Sequence, residues 1–217
     1  MTLHEMLVDE LKDLYHAEKQ LTKALPKLAK AATNEDLREA FEMHLEETNE
    51  QINRLEEVFA SLGEKVKAKP CPGMAGIIQE GSDTMQEDAD GAVMDAALIA
   101  AAQRAEHYEI GAYGTCIEWA RLMGHNEVVS LLEQTLEEEK AADKKLTMLA
   151  ESEINPAALA EGHSEEEEES DIAMATSGAR ARSSGRSSSR SSRSSGSRRQ
   201  ASGGGSSRAK AADRRRR

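Results

Sequence analysis

The chain has 217 residues and a formal net charge of −12, but the charge is laid down in two opposite blocks. Residues 177–217 hold 12 Arg, one Lys and one Asp, a local +12, which leaves −24 on residues 1–176. No apolar run approaches the roughly 18 residues of a membrane span, and the N-terminal stretch is charged throughout, so we expect no membrane segment, no secretory leader and a cytoplasmic chain. Two isolated cysteines, Cys71 and Cys116, make neither a disulfide framework nor a thiolate metal site.

Residues 1–152 carry a helical apolar period and almost no β-branched runs, which predicts an all-α domain with a core of its own. A first long helix is expected from about Leu3 to Ala32, opened by a capping box of Thr2 and Glu5 and kinked near its end by Pro26. A second runs from about Glu35 to Leu62, capped by Asn34 and stopped by Gly63; the short turn before it makes the two antiparallel. From Gly63 to Asp90 the period breaks, and only MAGIIQEGSDTMQE reads as a short amphipathic helix. A third long helix follows from about Ala92 to Met123 with Gly124 beyond it, and a fourth from about Glu127 to Ala150 behind an Asn126 cap. Short loop, long crossover carrying a short extra helix, short loop is the connectivity of a ferritin-like four-helix bundle. Residues 153–176 read as an acidic linker, and 177–217 as a disordered Ser/Arg/Gly tail with too little apolar surface to fold.

Within the helices, carboxylates stand where leucines belong. Positions 7, 11, 14, 18, 21, 25 and 28 form one buried seam at three- and four-residue spacing, and Glu18 is its sole polar member. The third helix puts Glu106 and Glu109 on its apolar face, and the fourth turns Glu139 and Asp143 inward. On the second helix the seam reads Phe41, Leu45, Thr48, Ile52, Leu55, Phe59, Leu62, with His44, Glu47 and Gln51 stacked along one flank. Each of these acids taken alone also reads as a partly exposed rim residue. Together they demand positive charge, because a carboxylate in a low-dielectric interior costs several kcal/mol unless neutralised. Lys12, Lys19, Arg104, Lys140 and Lys144 project away from the seams, so a bound metal pair is the remaining source. Oxygen-rich ligation favours hard ions such as iron, manganese or magnesium over zinc or copper, with iron expected first and manganese as the alternative. The metal-ligating set is then Glu18, Glu47, Glu106, Glu109, Glu139 and Asp143, with His44 and Gln51 as supporting or solvent-facing groups and Tyr113 as core beside the site. His16 and His107 point away from the seams and read as solvated.

The phrases LYHAEKQL, HLEETNEQINRLE, DAALIAAAQRAEHYEIGAYGT and TLEEEKAADKKLTMLA resemble the YciE/YciF family of ferritin-like stress proteins over about residues 3–150. The resemblance implies a four-helix bundle with a dinuclear metal centre, often dimeric. It matches Glu18, Glu47 and Glu139 to the single glutamates of helices one, two and four, and the Glu106/Glu109 pair to the doubled glutamate of rubrerythrin-like third helices. Ferritin-like sites commonly place a His three residues after the Glu of the second and fourth helices; here those positions are Glu50 and Ala142, with Gln51 and Asp143 one residue further on. The implied chemistry is Fe(II) oxidation or peroxide removal. A non-catalytic helical interaction protein is the alternative. The tail, rich in Arg and free of aromatics, suits non-specific contact with DNA or RNA phosphates, or folding back on its own acidic domain.

Overall fold

A computed structural model describes residues 1–87, 89 and 91–161; the remainder of the expected linker and the whole basic tail lie outside the described residues. The described chain has no strand and consists of α1 (Leu3–Ala31), α2 (Glu35–Ser61), α3 (Pro72–Thr84), α4 (Gly91–Leu122) and α5 (Asn126–Leu149), closed by a π-helical turn, Ala150–Ile154. The four long helices pack in a square. α1 lies against α2 and α4, α5 lies against the same two, and α3 rests on α4 and α1.

Local chemistry sets most of the boundaries. Thr2 accepts from the Glu5 amide at 3.2 Å while the Glu5 carboxylate accepts from the Thr2 amide at 2.7 Å, the capping box read in the sequence. Asn34 accepts from the Leu37 amide at 2.9 Å and opens α2. Gly63 and Gly124 take φ of 71° and 78°, the left-handed conformation that ends α2 and α4 where a side chain would be strained. Pro26 stands inside α1, and the helix runs on to Ala31. The Asn126 cap is not formed: α5 begins at Asn126 itself, behind His125, which gives no side-chain hydrogen bond. Gly124 makes the reversal there.

Helical structure also extends past 152. The π turn inserts an extra residue, which rotates Ile154 into the core, and the chain stays helical over 155–161. A Glu161 carboxylate oxygen accepts from the Ala92 amide at 2.9 Å, at the start of α4. The crossover is fastened to α1 as well. The Lys69 amide donates to the Lys12 carbonyl at 3.0 Å, and the Cys71 amide donates to His16 Nδ1 at 3.1 Å, so His16 is a structural acceptor and not the solvated group expected.

Two apolar cores result. One gathers Leu7, Leu11, Leu14, Leu55, Phe59, Ile117 and Leu132; the other gathers Leu21, Leu25, Leu28, Phe41, Leu98, Ile99 and Leu146. Between these two sets every long helix turns buried polar residues inward: Glu18 on α1, His44, Thr48 and Gln51 on α2, Glu106 and Glu109 on α4, and Thr135 and Glu139 on α5.

The α1–α2 turn depends on a buried charge. Asp95 of α4, 1 % exposed, accepts from the Thr33 amide at 2.8 Å, the Thr33 hydroxyl at 2.5 Å and the Asn34 amide at 2.8 Å. Removing it strands three donors, so Asp95→Ala is expected to cost about 2–4 kcal/mol and to lower Tm by about 2–4 °C for each kcal/mol. Thermal unfolding followed by circular dichroism checks this; an unchanged Tm contradicts it.

Candidate metal centre

The polar layer between the two cores is built from one stretch of each long helix. α1 contributes Glu18 between Leu14 and Leu21; α2 contributes His44, Thr48 and Gln51 between Phe41 and Leu55; α4 contributes Glu106 and Glu109, one turn apart; α5 contributes Glu139. Glu18, Glu109, Glu139 and Gln51 are fully buried, and Glu106 and His44 are 3 % and 6 % exposed. His44 Nε2 lies 3.4 Å from Glu106 Oε1 and 3.6 Å from Glu139 Oε2. Ligand atoms of His44, Glu106 and Glu139 all fall within 4.8 Å of one another, a spacing that can hold a metal ion.

Neighbouring side chains orient the acids. Tyr113, buried on α4, donates to Glu18 Oε1 in a short hydrogen bond. Gln51 Nε2 donates to Glu139 Oε1 at 2.5 Å and to Glu138 Oε2 at 3.2 Å. Arg54 grips Glu138 with two hydrogen bonds of 2.9 Å and reaches the Thr135 hydroxyl at 2.6 Å. The nearest guanidinium is therefore spent on Glu138, outside the cluster.

Electrostatics follow from this crowding. Burial, then the charge of Glu139, pushes Glu18 up to about 8, against the Tyr113 hydrogen bond. Burial pushes Glu106 up to about 7, and holds Glu109 and Glu139 well above the carboxylate range. For His44, burial works against the imidazolium, but the Glu47 hydrogen bond and the charges of Glu139 and Glu18 outweigh it, so its pKa is raised. Without a cation, these acids must share protons.

The donor set fits a hard metal ion. Among the described residues, six buried side-chain atoms lack a hydrogen-bond partner: Glu18 Oε2, Gln51 Oε1, Glu106 Oε2, both Glu109 carboxylate oxygens and Glu139 Oε2. All six belong to this layer. Unsatisfied buried polar atoms each cost about 1–3 kcal/mol, and their concentration in one place is what a cation site looks like before its ion is counted. Sulfur takes no part: Cys116 is packed in one apolar core, and Cys71 caps α3. Carboxylate oxygen with one imidazole suits iron or manganese.

Not every expected ligand is brought in. Asp143 is turned aside, accepting from Gln103 Nε2 at 2.9 Å and lying 3.3 Å from His107, so it stands at the edge of the layer. Glu47 is 45 % exposed, and its carboxylate reaches His44 Nδ1 at 3.3 Å instead of the centre. His44, expected on the flank, lies among the acids, as does Gln51. Thr135 and Arg54 were not singled out in the sequence; the four-three spacing Val128, Leu132, Thr135, Glu139 would have shown the first.

A four-helix bundle with a long crossover and a buried layer of carboxylates and histidine at mid-height defines the ferritin-like class. Residues 2–159 match the family model described as a domain of unknown function, DUF892. The chain is 48 % identical over 155 residues to Protein YciF of Escherichia coli (strain K12), an alignment covering 71 % of this chain and 93 % of that protein. It belongs to the YciE/YciF family. The crystal structure of the E. coli stress protein YciF superposes with a TM-score of 0.69 at 47 % identity, covering 71 % of this chain and 98 % of that one. YcfI of Rhodopseudomonas palustris, for which a structural role has been suggested, gives 0.67 at 49 % identity over 68 % and 94 %. A Xanthomonas campestris protein at 21 % identity and TM-score 0.59, covering 75 % and 99 %, shares the fold alone.

The raised acids make a pH prediction for metal-free protein. A carboxyl whose folded pKa exceeds its unfolded value stabilises the fold at low pH and loses that contribution as pH rises through the folded pKa. Apo protein is therefore expected to be more stable near pH 5.5 than near pH 8.5, the loss accumulating from the ordinary carboxylate range up to the Glu106 and Glu18 values of about 7 and about 8 and levelling off above them. Glu18→Gln should flatten the profile. Urea unfolding of chelator-treated protein across that range checks it; stability rising with pH contradicts it.

Proposed function

We propose that the chain is a dinuclear metal protein of oxidative or general stress, holding two iron ions, with manganese as the alternative, and acting by oxidising Fe(II) or consuming peroxide. The observation that carries this is the set of six unpartnered polar atoms confined to one layer of four helices. Ligands in this reading are Glu18, Glu106, Glu109, Glu139 and His44. When bound, such ions supply Lewis acidity and one-electron chemistry toward dioxygen or peroxide.

What the chain itself does is hold and protect. Tyr113 fixes the rotamer of Glu18, and Gln51 fixes that of Glu139, with Arg54 and Glu138 bracing Gln51 from outside. The two apolar cores bound the layer above and below. On ion uptake Glu18 and Glu106 give up protons they hold near neutrality, so binding tightens as pH rises.

The competing reading is a helical interaction protein with no metal, whose acids stay protonated and whose tail is the working part. Metal analysis separates the two. About two equivalents of iron or manganese per chain are expected from metal-replete growth, lost in Glu18→Ala and Glu139→Ala. Wild-type protein that carries none contradicts the proposal.

For residues 177–217 we propose non-specific contact with nucleic-acid phosphates, supported by +12 of charge and the lack of aromatic stacking residues. Mobility shifts over a salt series should show full-length protein binding DNA at low salt and a chain ending at Thr176 failing to; equal binding by both contradicts it. Particle sizing tests the homodimer that the family resemblance implies.

A further inference from the structure

We propose that divalent cations reach the buried layer through the cleft between α2 and α5, with Glu47 as a transit ligand at the mouth and Lys145 as an opposing charge that restrains the rate. The proposal rests on the metal-site reading above and assigns Glu47 a role in delivery in place of the permanent ligation expected from the sequence.

Among the described residues, two openings have Glu106 of the layer in their walls. The first, between α1, α3 and α4, holds about 40 Å³ and is walled by alkyl groups such as Leu21, Leu25, Ile77 and Ala105. Its other polar side chains are Ser82 and the cationic Lys27, so a dication shedding water there meets no carboxylate or imidazole before Glu106, and stripping a charged ion in such apolar surroundings is prohibitive. The second, between α2 and α5, holds about 130 Å³ and is lined by His44, Glu47, Glu106 and Lys145 among small and apolar groups that include Ala141 and Ala142.

The polar groups of this cleft form a ladder. Glu47, 45 % exposed, stands at the rim with Oε2 3.3 Å from His44 Nδ1. His44 Nε2 in turn is 3.4 Å from Glu106 and 3.6 Å from Glu139. Glu106 and Glu139, 4 % and 0 % exposed in their side chains, each present an unpartnered Oε2 at the inner end. An ion can exchange water for carboxylate oxygen at the rim and pass inward without ever lacking a ligand. Ala141 and Ala142 leave the way open on the α5 side, where a longer side chain would obstruct it. Residues 1–161 carry a net −18, which draws cations to this surface, and Lys145 is the basic side chain at the cleft that opposes them.

The test is the rate of Co(II) uptake by full-length, metal-free protein, followed by stopped-flow absorbance, together with the number of ions bound at equilibrium. Glu47→Gln is expected to slow uptake about tenfold at unchanged stoichiometry, as loss of a steering charge would. Ala142→Leu should slow it too. Lys145→Gln should speed it about two- to threefold at low ionic strength, the gain fading with salt. Ala24→Leu, which narrows the apolar opening, should leave the rate alone. The proposal is overturned if the three cleft variants take up cobalt at the wild-type rate, if Ala24→Leu is the variant that slows it, or if Glu47→Gln loses an ion at equilibrium, which would make Glu47 a resident ligand. Wild-type protein that binds no cobalt overturns the metal-site reading itself, and this proposal with it.

Discussion

Four carboxyl groups, from Glu18, Glu106, Glu109 and Glu139, meet at one level of a bundle between two apolar cores. Their mutual repulsion and their separation from water act against folding, and nothing among the neighbouring side chains discharges them: Arg54 is committed to Glu138, and His44 is one imidazole against four acids. Protons can settle the layer up to about neutrality, and a bound cation would replace them. The remaining architecture is arranged around that layer. Apolar cores on either side fix the helices in register, the Asp95 lock holds the α1–α2 turn, and the crossover is fastened to α1 through Lys69 and Cys71. These contacts keep four separate helix segments aligned well enough for their acids to meet, which is the preorganisation a metal centre requires.

Much of this was legible in the sequence because α1, α4 and α5 follow their apolar period faithfully. Glu18 interrupts a run of leucines, and Glu106, Glu109 and Glu139 fall on stripes whose other members are plainly core. α2 was harder to phase. Its apolar residues suggest a seam through Leu45, Ile52 and Leu62, yet those three are only partly buried, while the fully buried stripe runs Leu37, Phe41, His44, Thr48, Gln51, Leu55, Val58. Phasing a helix by hydrophobicity assumes that polar groups face water, and the assumption fails where function turns them inward. His44 and Gln51 were therefore set on a flank although they lie at the centre. The histidine missing from the usual place after the glutamate is present three residues before Glu47.

Asp143 went astray in the opposite direction. The expected seam passes through Leu136 and Asp143, which are only partly buried, whereas the buried stripe of α5 runs Val128, Leu132, Thr135, Glu139, Leu146; Asp143 lies to one side of it, where Gln103 and His107 hold it. Asn126 is not a cap because it is already the first residue of α5, one place beyond the capping position. The π turn at Ala150–Ile154 changes the helix period itself, so no fixed-period pattern could follow Ile154 into the core.

The central claim, that the acid layer is a two-ion metal centre, is tested most directly by anomalous diffraction from crystals grown with iron or manganese and measured at that metal's absorption edge. The account predicts two anomalous peaks enclosed by Glu18, His44, Glu106, Glu109 and Glu139. Anomalous density found only on the acidic surface, with the layer bare in metal-soaked crystals, would contradict it.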